Sequence, residues 1–390
     1  MKPIPILDFS AISALGTTLS EHESAMRAGH GGIRAPGELL PGALLPVGEV
    51  RTPLPPLPAE VSAYDSRCAR LLAACLDRLA DSLSDLRARV RPDRIAVIVG
   101  TSASGNTDLE QALLSGHADG FDYHHRQTFG SAASLVRRMA GVAGPAFSVS
   151  TACSSGANAF LSASRLIHAG VCDAAIVGAV DALCLTTYHG FRALGVMDDS
   201  PCRPFDVHRK GMSLGEGAAL FLLARERTAP QAGPDIFFAG GGASSDAHHM
   251  TAPDPDGLGA SRAMEAALAD AGLRPGDIGY LNLHGTGTPL NDVAESRAVE
   301  RTFGRELPCS STKGFTGHLL GAAAGVEAAL TLLALRAGLL PQNLHLEQLD
   351  PEVSIRVLSD DERAPGLRFA MSNSFAFGGN DTALAFGVRP

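Results

Sequence analysis

Two stretches of this 390-residue chain share one layout, and that layout limits the folds open to it. Residues 145–170 read as a short apolar strand, a turn of small residues carrying Cys153, and an Ala-rich helix stopped by Gly170. Residues 307–338 repeat the order: strand, a Gly/Thr turn carrying Lys313 and His318, and a long Ala-rich helix stopped by Gly338. The first turn of a helix offers unpaired N–H groups, so a side chain placed just before it sits at a polar focus. Strand followed at once by helix is the unit of a layered α/β fold. Its recurrence predicts a degenerate duplication with the boundary near residue 235, giving halves 1–235 with the cysteine and 236–390 with two histidines and the lysine.

The rest of the pattern agrees. Strands are expected at 4–9, 95–100, 146–150, 174–178 and 218–223, then at 278–283 and 307–311. Their apolar runs are continuous rather than alternating, which marks strands covered on both faces. Helices are expected at 66–86, 157–169, 258–271 and 318–336, and the Pro-rich run 35–60 as an irregular excursion.

Composition narrows the function classes. The formal charge is −9, and there is no Trp and only 5% aromatic residues. That argues against a nucleic-acid surface, which needs basic charge and stacking platforms. Seven scattered cysteines without a C-x-x-C pair fit a reducing compartment rather than a disulfide framework or zinc ribbon. The apolar start, residues 4–9, is too short for a signal-peptide core or a membrane span, so a cytoplasmic protein is expected.

Several side chains carry possible chemistry. Cys153, at the strand-to-helix turn, is expected to have a lowered pKa and to act as a nucleophile, or else to be a buried structural cysteine. His284 leaves a buried strand into His284-Gly285-Thr286-Gly287-Thr288-Pro289, the usual ligand crevice of an α/β sheet or simply a satisfied turn. Lys313 and His318 share a second such turn, with Glu327 on the following helix in reach of the lysine. Phe375 and Phe377, ahead of Gly378 and Gly379, suit either a movable turn or a plain hairpin. Adjacent pairs His124-His125 and His248-His249 point their rings apart, so no metal site is expected. Ser310-Ser311-Thr312-Lys313 satisfies S-x-x-K, but the K-T-G partner of that hydrolase class does not occur.

In order along the chain, T-A-C-S-S-G, S-S-D-A-H-H-M-T, H-G-T-G-T-P, S-T-K-G-F-T-G-H-L-L-G-A-A-A-G and the final F-G-G loop resemble the β-ketoacyl-acyl carrier protein synthases of the thiolase superfamily. Arg203-Pro204-Phe205-Asp206 and Gly215-Glu216-Gly217 add to the likeness, which covers nearly the whole chain. The resemblance implies an α/β, thiolase-like fold of two pseudo-symmetric halves in five α-β-α-β-α layers. It implies that Cys153 takes an acyl chain and that His284 and His318 assist decarboxylation of malonyl-carrier protein. Lys313 with Glu327 would set the histidine electrostatics, and backbone N–H groups of Cys153 and Phe377 would form an oxyanion hole. Thr286 and Thr288 would bind the phosphopantetheine arm of the substrate's carrier protein, with no cofactor or metal of the enzyme's own. Phe375 would contact substrate, and Ala103 would floor the acyl pocket near a dimer seam.

The implied partners are an acyl carrier protein and either a second copy or a related synthase or chain-length-factor subunit, with no nucleic acid and no membrane. Arg67, Arg70 and Arg126 are candidate carrier-docking cations, or else ordinary solvated charges. A coenzyme A-dependent thiolase would need a second cysteine in the last loop, where Phe375 and Phe377 stand instead. A non-catalytic partner subunit would usually lack the nucleophile. Three departures stand out, one of them a stretch between Asp181 and Arg203 shorter than expected of the housekeeping family members. Family members usually end the last motif Gly-Gly-Thr-Asn, where this chain has Gly379-Asn380-Asp381. The small Ala103 suggests a specialised elongator, for aryl polyenes or polyketides.

Overall fold

The computed structural model describes residues 2–227 and 235–389. Ten strands carry the fold: β1 (Ile4–Ile12), β2 (Ile95–Gly100), β3 (Ala146–Val149), β4 (Ala174–Asp181), β5 (Gly217–Ala224), β6 (Asp235–Ser245), β7 (Tyr280–Asn282), β8 (Cys309–Ser310), β11 (Phe369–Ala376) and β12 (Asn380–Arg389). A separate two-residue pair, β9 (Leu339–Leu340) with β10 (Glu362–Arg363), lies between the last four.

The strand order is β3-β2-β4-β5-β1-β6-β12-β11-β7-β8. Its first five members read 3-2-4-5-1 in chain order, and the last five, read from the far edge, follow the same order. Pairing sense repeats as well: β3, β2 and β4 are parallel, as are β8, β7 and β11, and the next two pairings in each half are antiparallel. The two five-stranded halves are not separate sheets. Ile4 pairs with Phe238 and Pro5 with Phe237, joining them at the start of β1. The stretch just before residue 235 lies outside the described residues.

Side-chain direction explains the apolar strands. In β2, Ile95, Val97 and Val99 face one buried cluster while Ala96 and Ile98 face another. β4 and β5 divide their side chains the same way, so both faces are covered. Helices Arg67–Asp77 and Phe129–Met139 cover the outer face of the first half. Helices Leu258–Ala271 and Pro289–Phe303 cover that of the second. Between them lie helices Ser155–His168 and Ala323–Ala337, which with the two halves of the sheet complete five layers. Every residue from Ala323 to Leu335 is buried. That explains why 320–337 is long and apolar enough to cross a membrane, yet 89% buried inside the fold.

Two helices differ from the sequence expectation. The stretch 66–86 is broken into Arg67–Asp77 and Ala80–Arg89, because Leu79 N–H bonds to the Leu76 carbonyl and shifts the apolar stripe. The helix expected from residue 318 begins at Ala323, after a single 3-10 turn at Leu320–Ala322. His318 is held extended instead: its N–H donates to Ser213 O at 2.7 Å, and its carbonyl accepts from Gly215 N at 2.9 Å. Strands β7 and β8 are likewise shorter than expected.

The two middle helices meet through glycine. A Cβ on Gly156 would lie 2.9 Å from Ala179 Cβ and 3.0 Å from Gly325 N. Neither neighbour is a flexible side-chain end, so Gly156→Ala overpacks the centre. We expect a loss of about 1–3 kcal/mol in urea unfolding. An unchanged midpoint would contradict this close approach.

Candidate active site

Cys153 follows a strained turn out of β3. Ala152 sits at φ +50°, where residues with a Cβ are uncommon. Its carbonyl is fixed by the hydroxyls of Ser102 at 2.8 Å and Ser155 at 2.5 Å. Cys153 thereby reaches a cavity of about 200 Å³ whose wall also includes His284, His318, Thr286, Phe375 and Phe377. The two halves meet here: the cysteine comes from one, the histidines and lysine from the other.

His284 lies two residues after β7, and its backbone is gripped by a buried carboxylate. Glu295 accepts from His284 N at 2.8 Å, Gly285 N at 2.7 Å and Asn373 Nδ2 at 3.1 Å. Lys313 is fully buried, and its Nζ faces three acceptors: Glu327 Oε1 and the His284 carbonyl, each at 2.5 Å, and His284 Nδ1 at 3.3 Å. An ammonium has three donors and no acceptor. Nδ1 of His284 must therefore accept, which puts its proton on Nε2.

His318 Nε2 lies 3.0 Å from Cys153 Sγ, and the two imidazole rings are nearly perpendicular with centroids 5.4 Å apart. No group among the described residues partners His318 Nδ1. A buried N–H without an acceptor is the costlier omission, so Nδ1 is the bare nitrogen and Nε2–H donates to sulfur. Burial holds both histidines well below the ordinary value, with the Lys313 charge adding to it. Both are neutral at neutral pH and both direct an N–H donor into the cavity.

The thiol departs from the sequence expectation. Burial pushes Cys153 up to about 11, against the Lys313 charge and the Phe377 N–H that hydrogen-bonds it. Desolvation outweighs the helix terminus in the resting site. The Phe377 N–H faces the sulfur.

Thr286 and Thr288 line the cavity with their hydroxyls 2.9 Å apart, and Phe375 lies against His284 with ring centroids 5.8 Å apart. Ala103 is elsewhere. Its N–H donates to Asp181, and its side chain packs in a cluster with Leu183, Leu320 and Met212, of which Met212 lines the cavity. Within one chain Ala103 does not line this cavity.

The three candidate docking cations all have acidic partners in the chain. Arg67 is committed to Glu216 at 2.5 Å and Arg70 to Asp65 at 2.6 Å, while Arg126 pairs with Asp108 and covers the Phe121 ring. They brace their own chain rather than form a free basic patch. Among the described residues no three His, Cys, Asp or Glu side chains are placed to share a metal ion. All seven cysteines are unpaired and buried.

Three buried acids escaped the sequence reading. Asp181 accepts from Thr101 Oγ1, the N–H groups of Ser102 and Ala103, and Gly321 N at 2.7 Å, so it ties the turn after β2 to the His318 segment. Asp292 accepts from Phe205 N and Gly287 N, and Glu295 braces His284. Asp292 and Glu295 stand three apart just after the Gly/Thr turn, on one helix face. That spacing was the available signal.

Residues 57–229 match the family model described as beta-ketoacyl synthase, N-terminal domain, and residues 237–347 match beta-ketoacyl synthase, C-terminal domain. A 3-oxoacyl-[acyl-carrier-protein] synthase 2 of Staphylococcus aureus is 34% identical over 335 residues, covering 81% of this chain and 82% of that protein. One from Synechocystis sp. is 39% identical over 311 residues, 75% of each. Among solved structures, the ketosynthase (ApeO) in complex with its chain length factor (ApeC) from Xenorhabdus doucetiae gives a TM-score of 0.91 at 40% identity, covering 99% of this chain and 98% of that one. The chain belongs to the β-ketoacyl synthase family, with the thiolase-like fold.

The raised thiol has a measurable signature. Below its pKa the thiolate fraction grows tenfold per pH unit, so iodoacetamide labelling of Cys153 should climb steadily from pH 7 to about 10. A plateau near neutral pH would show a lowered thiol instead.

Proposed function

We propose that this chain elongates acyl groups by decarboxylative Claisen condensation, with Cys153 as acyl acceptor and His284 and His318 as donors to the malonyl unit. The observation that carries the assignment of roles is the convergence of two Nε2–H donors and the Cys153 sulfur on one cavity.

In the first step Cys153 sulfur attacks an acyl-carrier thioester, the acyl group moves to Cys153, and the proton leaves with the carrier thiol. Backbone N–H groups of Cys153 and Phe377 receive the developing oxyanion. In the second, malonyl-carrier thioester places its carbonyl oxygen against the two Nε2–H groups. Loss of carbon dioxide leaves an enolate whose charge those donors hold. Its carbon attacks the acyl-Cys153 thioester, the C–S bond breaks, and a β-ketoacyl-carrier product two carbons longer departs. Lys313 does not touch the substrate. It keeps Nδ1 of His284 occupied, so that imidazole can only donate from Nε2. Thr286 and Thr288 hydrogen-bond the amides of a phosphopantetheine arm in this reading, supported by their position in the cavity wall, and Phe375 bears on the substrate beside His284.

The domain and partner readings follow from the same frame. Residues 1–235 and 236–390 are proposed as the repeated halves, supported by their matching strand order. Edge strand β3 pairs on one side only and leaves Phe147 39% exposed. This edge suits a second related subunit, a copy of this chain or a chain-length factor, since unpaired backbone N–H and C=O groups on an edge strand can pair with another chain. A carrier protein would deliver both substrates, and a cytoplasmic location suits that exchange.

Replacing single residues separates the two half-reactions. Cys153→Ala should abolish covalent acylation by intact mass. His284→Ala and His318→Ala should still acylate at Cys153 while malonyl decarboxylation falls by about 10²–10³-fold, the usual effect of losing one such donor. Acylation of the Cys153→Ala protein, or decarboxylation unchanged without either histidine, would overturn the assignment.

A further inference from the structure

Asp381, the second residue of β12, stands where the family resemblance leads one to expect an amide. It pairs with Ser244 of β6 and is 3% exposed. Its carboxyl is turned toward another. A Cβ on Gly259 would collide with both Asp246 Oδ1 and Asp381 Oδ2, so two carboxyl oxygens crowd one glycine. Both oxygens close on that one position, so the two carboxyls are immediate neighbours, and no donor among the described residues reaches Asp381 Oδ2.

We infer that Asp381 is a positioning residue that shares a proton with Asp246 and thereby holds the Phe377 loop against Cys153. This rests on the reading of Cys153 as the acyl acceptor. The other contacts of Asp246 leave its Oδ1 free to receive that proton. Asp246 Oδ2 accepts from Asp254 N at 3.1 Å, and Asp246 N donates to Gly379 O at 3.0 Å. Gly378 N donates to Met250 O at 2.9 Å on the same side. The loop carrying Phe377 is thus clasped through its backbone to the segment after β6. The protonated Asp381 closes the clasp from the start of β12, doing the work of an amide N–H.

Two carboxyls in contact do not both ionise readily. The titratable groups facing Asp381 are Asp246 and Asp254 in the segment after β6 and Glu295 on helix Pro289–Phe303, all acidic. The opposing influence is the N-terminal turn of helix Leu258–Ala271 at Gly259, which favours negative charge. Burial and the acidic neighbours prevail, pushing Asp381 up to about 9. The proton is therefore held at neutral pH and lost as pH rises through that value. Above it, the carboxylates repel and the clasp opens.

The test follows covalent acylation of Cys153 by an acyl-N-acetylcysteamine thioester, read by intact mass from pH 7.5 to 9.5, in the full-length protein. Wild type, Asp381→Asn and Asp381→Ala are compared, each normalised to its own rate at pH 7.5. An amide donates at every pH, so Asp381→Asn should escape the alkaline loss. Its normalised rate at pH 9.5 should exceed wild type by about fourfold, the loss of protonated fraction half a unit above about 9. Asp381→Ala should be slow throughout, with the Asn variant restoring the rate. Identical pH ratios in wild type and Asp381→Asn, or wild-type rates in Asp381→Ala, would overturn the inference. A merely structural role would lower the melting temperature of the Ala variant and leave the Asn profile the same as wild type, which also counts against it. Acylation of a Cys153→Ala control would instead sink the underlying reading of Cys153.

Discussion

One buried ammonium organises this site. Lys313 has no solvent contact, and an isolated charge there would cost several kcal/mol. It is tolerated because all three of its donors are taken, by Glu327, by the His284 carbonyl and by His284 Nδ1. That occupancy has a chemical result. With Nδ1 engaged and the positive charge beside it, His284 is neutral and protonated on Nε2, facing the cavity. The lysine thus decides what the histidine can do without approaching the reacting atoms.

The duplicated fold makes the arrangement possible. Each half sends a strand into a turn and then into a middle-layer helix, and the two turns meet. One delivers Cys153 at a strained residue 152, the other Lys313 and His318. Asp181 fastens them by accepting from Ser102 and Gly321, on opposite sides of the meeting point. Gly156 and Gly325 let the helices behind come close enough for His318 Nε2 to reach the sulfur. Site geometry and core packing are therefore one constraint: whatever separates the middle helices also separates the histidine from the thiol.

Much of this was legible in the sequence because strands covered on both faces leave continuous apolar runs, and helices stopped by glycine end where Gly170, Gly272 and Gly338 stand. The strand 95–100 and the helix 258–271 were placed to the residue. The turns that line the cavity were legible because Cys, His and Lys follow strands in the sequence. What escaped was non-local. The state of the thiol depends on how deeply the turn is buried, which no local spacing records, so a helix terminus alone pointed the wrong way. Arg67, Arg70 and Arg126 looked like free cations because their acids, Glu216, Asp65 and Asp108, are brought to them only by folding or by a bend in the chain. His318 looked helical because Ser213 and Gly215, which hold it extended, lie about a hundred residues earlier.

The central claim is that Lys313 fixes His284 as a neutral donor, and nitrogen chemical shifts of histidine-labelled protein at pH 7 read this directly. The account predicts a protonated Nε2 and a bare, hydrogen-bonded Nδ1 for His284, persisting as pH falls through 6.5 and moving toward ordinary titration in Lys313→Ala. A His284 protonated on Nδ1, or doubly protonated at neutral pH, would contradict it.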